Sequence, residues 1–163
     1  MLYKARKGQT SYGQVIGILM LDTYTPFIPG DVGNASTYDF PVRYETVKGL
    51  TVKRIFKKDE SAYNDLLKAA KKLENEGVKA ITGDCGFMAI FQKRLADELN
   101  VPVFLSSMLQ VSFILNIIAE NEKIAVLSAN GKSLNDEKLL KKVGIKNRDK
   151  LIKFKVFRPS LEC

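Results

Sequence analysis

The chain alternates short apolar runs with segments of helical periodicity. Val15-Ile16-Gly17-Ile18-Leu19-Met20-Leu21 is apolar at nearly every position, which predicts a strand buried on both faces. From Asp22 to about Tyr44 the pattern breaks, with Pro26, Pro29, Pro41, Gly30 and Gly33, and a long loop is expected. Thr51 to Phe56 is the candidate second strand. Between Asp59 and Glu76, Leu66, Leu67, Ala69, Ala70 and Leu73 form a helical stripe that Gly77 terminates. Val78 to Thr82 is the third strand. A helix from about Gly86 to Leu99 follows, carrying Met88, Phe91, Leu95 and Leu99 near one face. Val103 to Leu105 is the fourth strand, and Ser106 or Ser107 can cap a helix from Met108 to Glu120. That helix is apolar on several sides and is expected to be buried, in part at a subunit contact. Lys123 to Leu127 gives a fifth strand, Leu134 to Val143 a helix and Leu151 to Phe157 a last strand.

Such an order predicts an α/β fold with a mainly parallel sheet flanked by helices. Ligands of these sheets bind at the carboxyl ends of strands. Asp22, Cys85, Ser106 and Ser128 each follow a predicted strand, so they could line one crevice.

Composition narrows the chemistry. The chain has 163 residues, 45% hydrophobic and 27% charged, as expected of a globular protein. Its 26 basic and 18 acidic residues give a net charge of +8. This could suit an anionic substrate or nucleic acid; the preferred reading is a solvated lysine-rich exterior, including the basic stretch from Lys138 to Lys155. No histidine is present, so the usual imidazole base is missing, and zinc is not expected from two distant cysteines. Gly131-Lys132-Ser133 lacks the preceding glycine of a phosphate-binding loop. No apolar run is long enough to span a membrane. Two cysteines do not make a disulfide scaffold, and the start lacks a secretory signal pattern, so a reducing cytoplasm is expected.

Cys85 lies in Gly83-Asp84-Cys85-Gly86-Phe87, where a strand ends and a helix begins. Free N–H groups and a helix N-terminus would favour its thiolate. Location alone leaves two readings open: a reactive thiol, or a cysteine packed as a small hydrophobe. Asp84 is expected to cap the helix.

At these residues the chain resembles the aspartate/glutamate/hydantoin racemase superfamily. The resemblance rests on Ile16 to Tyr24, on Pro29-Gly30-Asp31-Val32-Gly33-Asn34-Ala35-Ser36, and on Gly77 to Phe87. It extends through Val101 to Ser107 and Ile124 to Asn130. It implies a flavodoxin-like first lobe, residues 1–120, with a partial second lobe, residues 121–163, and an active site between lobes. It also implies racemisation of aspartate- or glutamate-type substrates without a cofactor or metal. One cysteine would remove the α-proton and a second would return one on the opposite face. Cys85 matches the first cysteine, and Cys163 stands in a segment like the one that introduces the second. Backbone groups of Gly86 and Phe87 would hold the substrate carboxylate, with Asn34, Ser107, Ser128 and Asn130 as further contacts. Family members run longer, so the expectation is a truncated member in which a terminal Cys163 is hard to hold at a productive distance. The alternatives are a related dicarboxylate isomerase or decarboxylase, and a non-catalytic module that binds small carboxylates or forms a homodimer.

Overall fold

The computed structural model describes residues 7–57, 59–128, 130, 131, 134, 136–145 and 151–155. The chain divides into two compact units, one ending at Ser106 and the other beginning at Ser107.

The first unit is built on a four-stranded parallel sheet in the order β2-β1-β3-β4. The strands are β1 (Ile16–Leu21), β2 (Val42–Val47), β3 (Ala80–Gly83) and β4 (Val103–Phe104). β1 is central, pairing with β2 from Ile16↔Val42 to Leu21↔Val47 and with β3 from Ile16↔Ala80 to Leu19↔Gly83. Ile18, Leu19, Met20 and Leu21 are buried, as the unbroken apolar run requires. Helix α2 (Ala62–Asn75) buries Leu66, Ala69, Ala70 and Leu73. It ends at Gly77, whose φ of +94° lets Val78 N–H turn back to the Leu73 carbonyl. Gly17 allows α2 to approach, because a Cβ there would meet the Leu73 side chain at 3.0 Å. The fold is therefore α/β with helices flanking a parallel sheet, as expected.

The second strand is not where the pattern placed it. Thr51–Phe56 is not a strand: Val52–Phe56 forms helix α1, with Thr51 Oγ1 accepting from Arg54 N–H as its cap. The strand is Val42–Val47, partly inside the expected loop. β2 lies at the sheet edge, so its polar residues can be used there. Arg43 and Glu45 share one face and reach α2 and its C-cap: Arg43 Nε lies 2.6 Å from Glu76, the residue that caps α2, and Lys72 lies 2.5 Å from Glu45. Tyr44, between them, points to the other face and donates to the Val32 carbonyl.

The expected helix from Gly86 to Leu99 begins as a 3₁₀ turn, Gly86–Phe91, and becomes α-helical as α3, Gln92–Glu98.

The second unit contains a 3₁₀ turn (Ser107–Gln110), α4 (Val111–Ile114), β5 (Ile124–Ser128), α5 (Glu137–Lys142) and β6 (Leu151–Lys155). β5 and β6 pair in parallel from Ile124↔Leu151 to Ser128↔Lys155. The expected long buried helix to Glu120 is shorter and more exposed. Phe113 is 67% and Ile117 66% exposed, and Asn116 donates its side-chain amide to the Ser112 carbonyl, a backbone acceptor four residues back. Buried positions in this unit include Leu134, Leu139, Leu140, Val143 and Ile145.

Candidate active site

The carboxyl end of β3 delivers Gly83, Asp84 and Cys85 in succession. Cys85 takes an extended conformation (φ −124°, ψ 113°) as the residue that opens the 3₁₀ turn. Its carbonyl accepts Met88 N–H at 2.9 Å, which fixes the turn. The half-buried thiol packs on the main apolar core. Burial pushes its pKa above the ordinary thiol value. Backbone N–H groups of Phe87 and Met88 pull down, and the Asp84 carboxylate pushes up. The N–H groups expected to favour the thiolate are thus present, but desolvation outweighs them. Phe87 also anchors the turn through an edge-on contact with Phe56, ring centroids 4.9 Å apart. Gly86 packs closely on the end of β4, since a Cβ there would stand 3.3 Å from the buried Ser106 Oγ, which would have to give by a few tenths of an ångström.

Asp84 does not cap the turn, contrary to expectation, and the cap position at Cys85 has no side-chain bond. Instead Asp84 Oδ2 accepts Leu21 N–H at 3.0 Å, while Asp84 N–H donates to the Leu19 carbonyl at 3.0 Å. Its other oxygen, Oδ1, is buried with no hydrogen-bond partner among the described residues. Desolvation pushes this carboxyl up to about 6, with Asp31 adding to the rise and the Leu21 bond opposing it. The sequence signal for this residue is its position: an aspartate between the last strand residue and the cysteine.

The other expected site residues are placed as follows. Asn34 organises its own loop: its amide donates to the Phe27 carbonyl at 2.8 Å, and its Oδ1 accepts both the N–H and the hydroxyl of Ser36. Asp22 closes the neighbouring turn by accepting Gly49 N–H at 2.8 Å. Ser107 is exposed and begins the second unit. Ser128 and Asn130 are joined locally, with Asn130 N–H donating to Ser128 Oγ at 3.2 Å. Cys163 lies outside the described residues. Cys85, Gly86 and Phe87 therefore form one turn beside the end of β1.

A cleft of about 720 Å³ lies elsewhere, on α2 beside Lys68, Lys71 and Lys72, and includes none of these strand-end residues. Among the described residues, no three His, Cys, Asp or Glu side chains gather as a metal site. Nor is any helix among them long and apolar enough to cross a membrane.

An α/β fold of this kind is shared with a solved cysteine mutant of arylmalonate decarboxylase in a sulfate-associated form. The two superpose with a TM-score of 0.55 at 13% identity, over 85% of this chain and 59% of that one. An aspartate racemase homologue from Pyrococcus horikoshii OT3 gives a TM-score of 0.49 at 14% identity, over 86% of this chain and 64% of that one. In sequence, the chain is 34% identical over 121 residues to dimethylsulfoniopropionate lyase 3 of Emiliania huxleyi (strain CCMP1516), covering 73% of this chain and 32% of the lyase. The chain spans about a third of the length of the curated relatives it matches. These relatives are named lyases, where the resemblance pointed to racemases. No family model matches the chain.

Proposed function

We propose that Cys85 is the proton-moving thiol of a cofactor-independent reaction at the carbon α to a carboxylate, and that the substrate is dimethylsulfoniopropionate. One observation carries this reading: the 34% identity to a lyase of that substrate, over a match too long to miss the central Cys85 segment. In the proposed step the Cys85 thiolate takes the α-proton. The C–H electron pair becomes the second bond of the new carbon–carbon double bond, the β carbon–sulfur bond breaks, and neutral dimethyl sulfide leaves with the carbon–sulfur bonding pair, giving acrylate. The thiol then returns its proton to solvent.

The buried setting of Cys85 suits a base. A thiolate whose pKa is raised is rarer at neutral pH but binds a proton more strongly once formed. The N–H groups of Phe87 and Met88 support its negative charge. Proton removal beside a carboxylate also needs stabilisation of developing charge, which is the role proposed for the turn's backbone with Gly86.

The test is headspace measurement of dimethyl sulfide from the chain with dimethylsulfoniopropionate in deuterium oxide, for wild type and Cys85→Ser. Release of dimethyl sulfide that the variant loses supports the proposal. Deuterium entering the α position of aspartate or glutamate, with no elimination, would favour the racemisation implied by the family resemblance. A carboxylate that raises the melting temperature with neither reaction would favour a binding module.

A further inference from the structure

Asp84 is a half-buried carboxyl group that the proposed proton transfer does not use, and it is built into the site from three directions. Its Oδ2 holds Leu21 N–H across 63 residues of sequence, and its own N–H holds the Leu19 carbonyl, so it binds the end of β1 to the cysteine turn. Its Oδ1 is covered and has no partner among the described residues. Covalently it is the neighbour of Cys85. A carboxylate satisfied on one oxygen only is costly to bury, and its uncompensated field falls on what lies beside it.

We propose that Asp84 is a positioning residue for the Cys85 chemistry: its carboxylate ties the cysteine turn to the end of β1, and its negative charge restrains the reactivity of the sulfur. The charges that bear on this pair among the described residues are few. Asp31, in the loop after β1, acts on Asp84, and Asp84 acts on Cys85. Both are acidic, and among the described residues no cation figures in the shift of either group. Neutralising Asp84, by protonation or substitution, should therefore free the thiolate. This inference rests on Cys85 being the working thiol, but its tests do not require turnover.

The experiment measures the rate of iodoacetamide modification at Cys85 against pH, read by mass spectrometry of the peptide that carries it, in wild type, Asp84→Asn and Asp84→Glu. Asp84→Asn keeps an acceptor for Leu21 N–H and removes the charge. Removing a neighbouring like charge should lower the midpoint of the rate profile by about one unit. At pH 7 that gives about ten times more thiolate, each about threefold less nucleophilic, for a net acceleration of about threefold. Asp84→Glu restores the charge and should move the midpoint back toward wild type. An unchanged midpoint in folded Asp84→Asn overturns the proposal.

A measurement on the wild-type chain decides the matter even if the variants do not fold. In carbon-13 NMR, the Asp84 carboxyl should titrate near its raised value of about 6, and the Cys85 Cβ resonance should shift with the same midpoint. A Cys85 resonance that ignores the Asp84 titration overturns the proposal as well. Loss of dimethyl sulfide release with this coupling intact would instead remove the proposed function alone.

Discussion

Replacing Gln92 by alanine should be among the most damaging single changes in the first unit. Gln92 is 9% exposed at the start of α3, and its side-chain amide spans the backbone on both sides of Phe104. Its Nε2 donates to the Val103 carbonyl at 2.8 Å, and its Oε1 accepts Leu105 N–H at 2.8 Å. The amide thus takes the place of a partner strand on the outer side of β4, which is the sheet edge among the described residues. Val103 and Leu105 are 6% and 0% exposed, so water cannot readily take over. Stranding a buried N–H or carbonyl costs about 1–3 kcal/mol each. A carbonyl tolerates under-satisfaction better than an N–H, because it has two lone pairs. Adding the lost packing of the Cγ methylene, about 0.8 kcal/mol, the total is about 4 kcal/mol. That is a large share of the 5–15 kcal/mol, roughly, that holds a typical domain together. Urea denaturation would read the loss as a lower midpoint at unchanged slope. Gln92→Glu separates the two bonds: it keeps the acceptor for Leu105 but sets a carboxylate oxygen against the Val103 carbonyl. Its destabilisation should therefore grow as pH rises through the carboxylate range, whereas that of Gln92→Ala should not. A cost below about 1 kcal/mol for Gln92→Ala would refute the bridging role.

Other expectations concern charge and packing. Because the Asp84 carboxyl is raised from 3.8 to about 6 on folding, its contribution is fully present below pH 3.8 and is lost as pH rises through 6. Discounted for its partial exposure, the loss is about 1–2 kcal/mol, and Asp84→Asn should flatten that slope in denaturation curves taken from pH 4 to 7. Asp59 behaves oppositely: bonds from Ser61 and Arg54 hold it down at about 2, so its contribution is present above pH 3.8 and is lost as pH falls toward 2. Asp59→Ala should remove that acid-side slope. Gly33→Ala should displace the Phe27 ring, because a Cβ there would lie 2.5 Å from it. Faster cleavage of the 27–38 loop in limited proteolysis would register that change, and an unchanged rate would contradict it. Leu66→Ala, at a fully buried position of α2, should cost about 2–5 kcal/mol in the same urea assay.

Much of the first unit was legible in the residues themselves. An apolar run without alternation can satisfy its neighbours only as a strand covered on both faces, and β1 is that strand. The stripe from Leu66 to Leu73 with Gly77 behind it fixes α2 and its end by local geometry. The turn from Gly83 to Gly86 placed Cys85 at the carboxyl end of β3, where the structure also has it. Local pattern failed where the deciding partner was distant. Val42–Val47 is a strand because β1 supplies its ladder, and α2 with its C-cap residue Glu76 supplies counter-charges for Arg43 and Glu45. Thr51–Phe56 has the β-branched composition of a strand, but the Thr51 cap and the burial of Ile55 make it a helix. The sequence alone thus determined the parallel α/β plan and the thiol at a strand end, because periodicity and turn chemistry act within a few residues. Only the tertiary structure decided that Gln92 is buried and doubly bonded, that Asp84 ties β3 to β1 with one oxygen lacking a hydrogen bond among the described residues, and that desolvation overrides the N–H groups around Cys85. Each of these depends on which atoms exclude water from which others, and residues far apart in the chain set that exclusion.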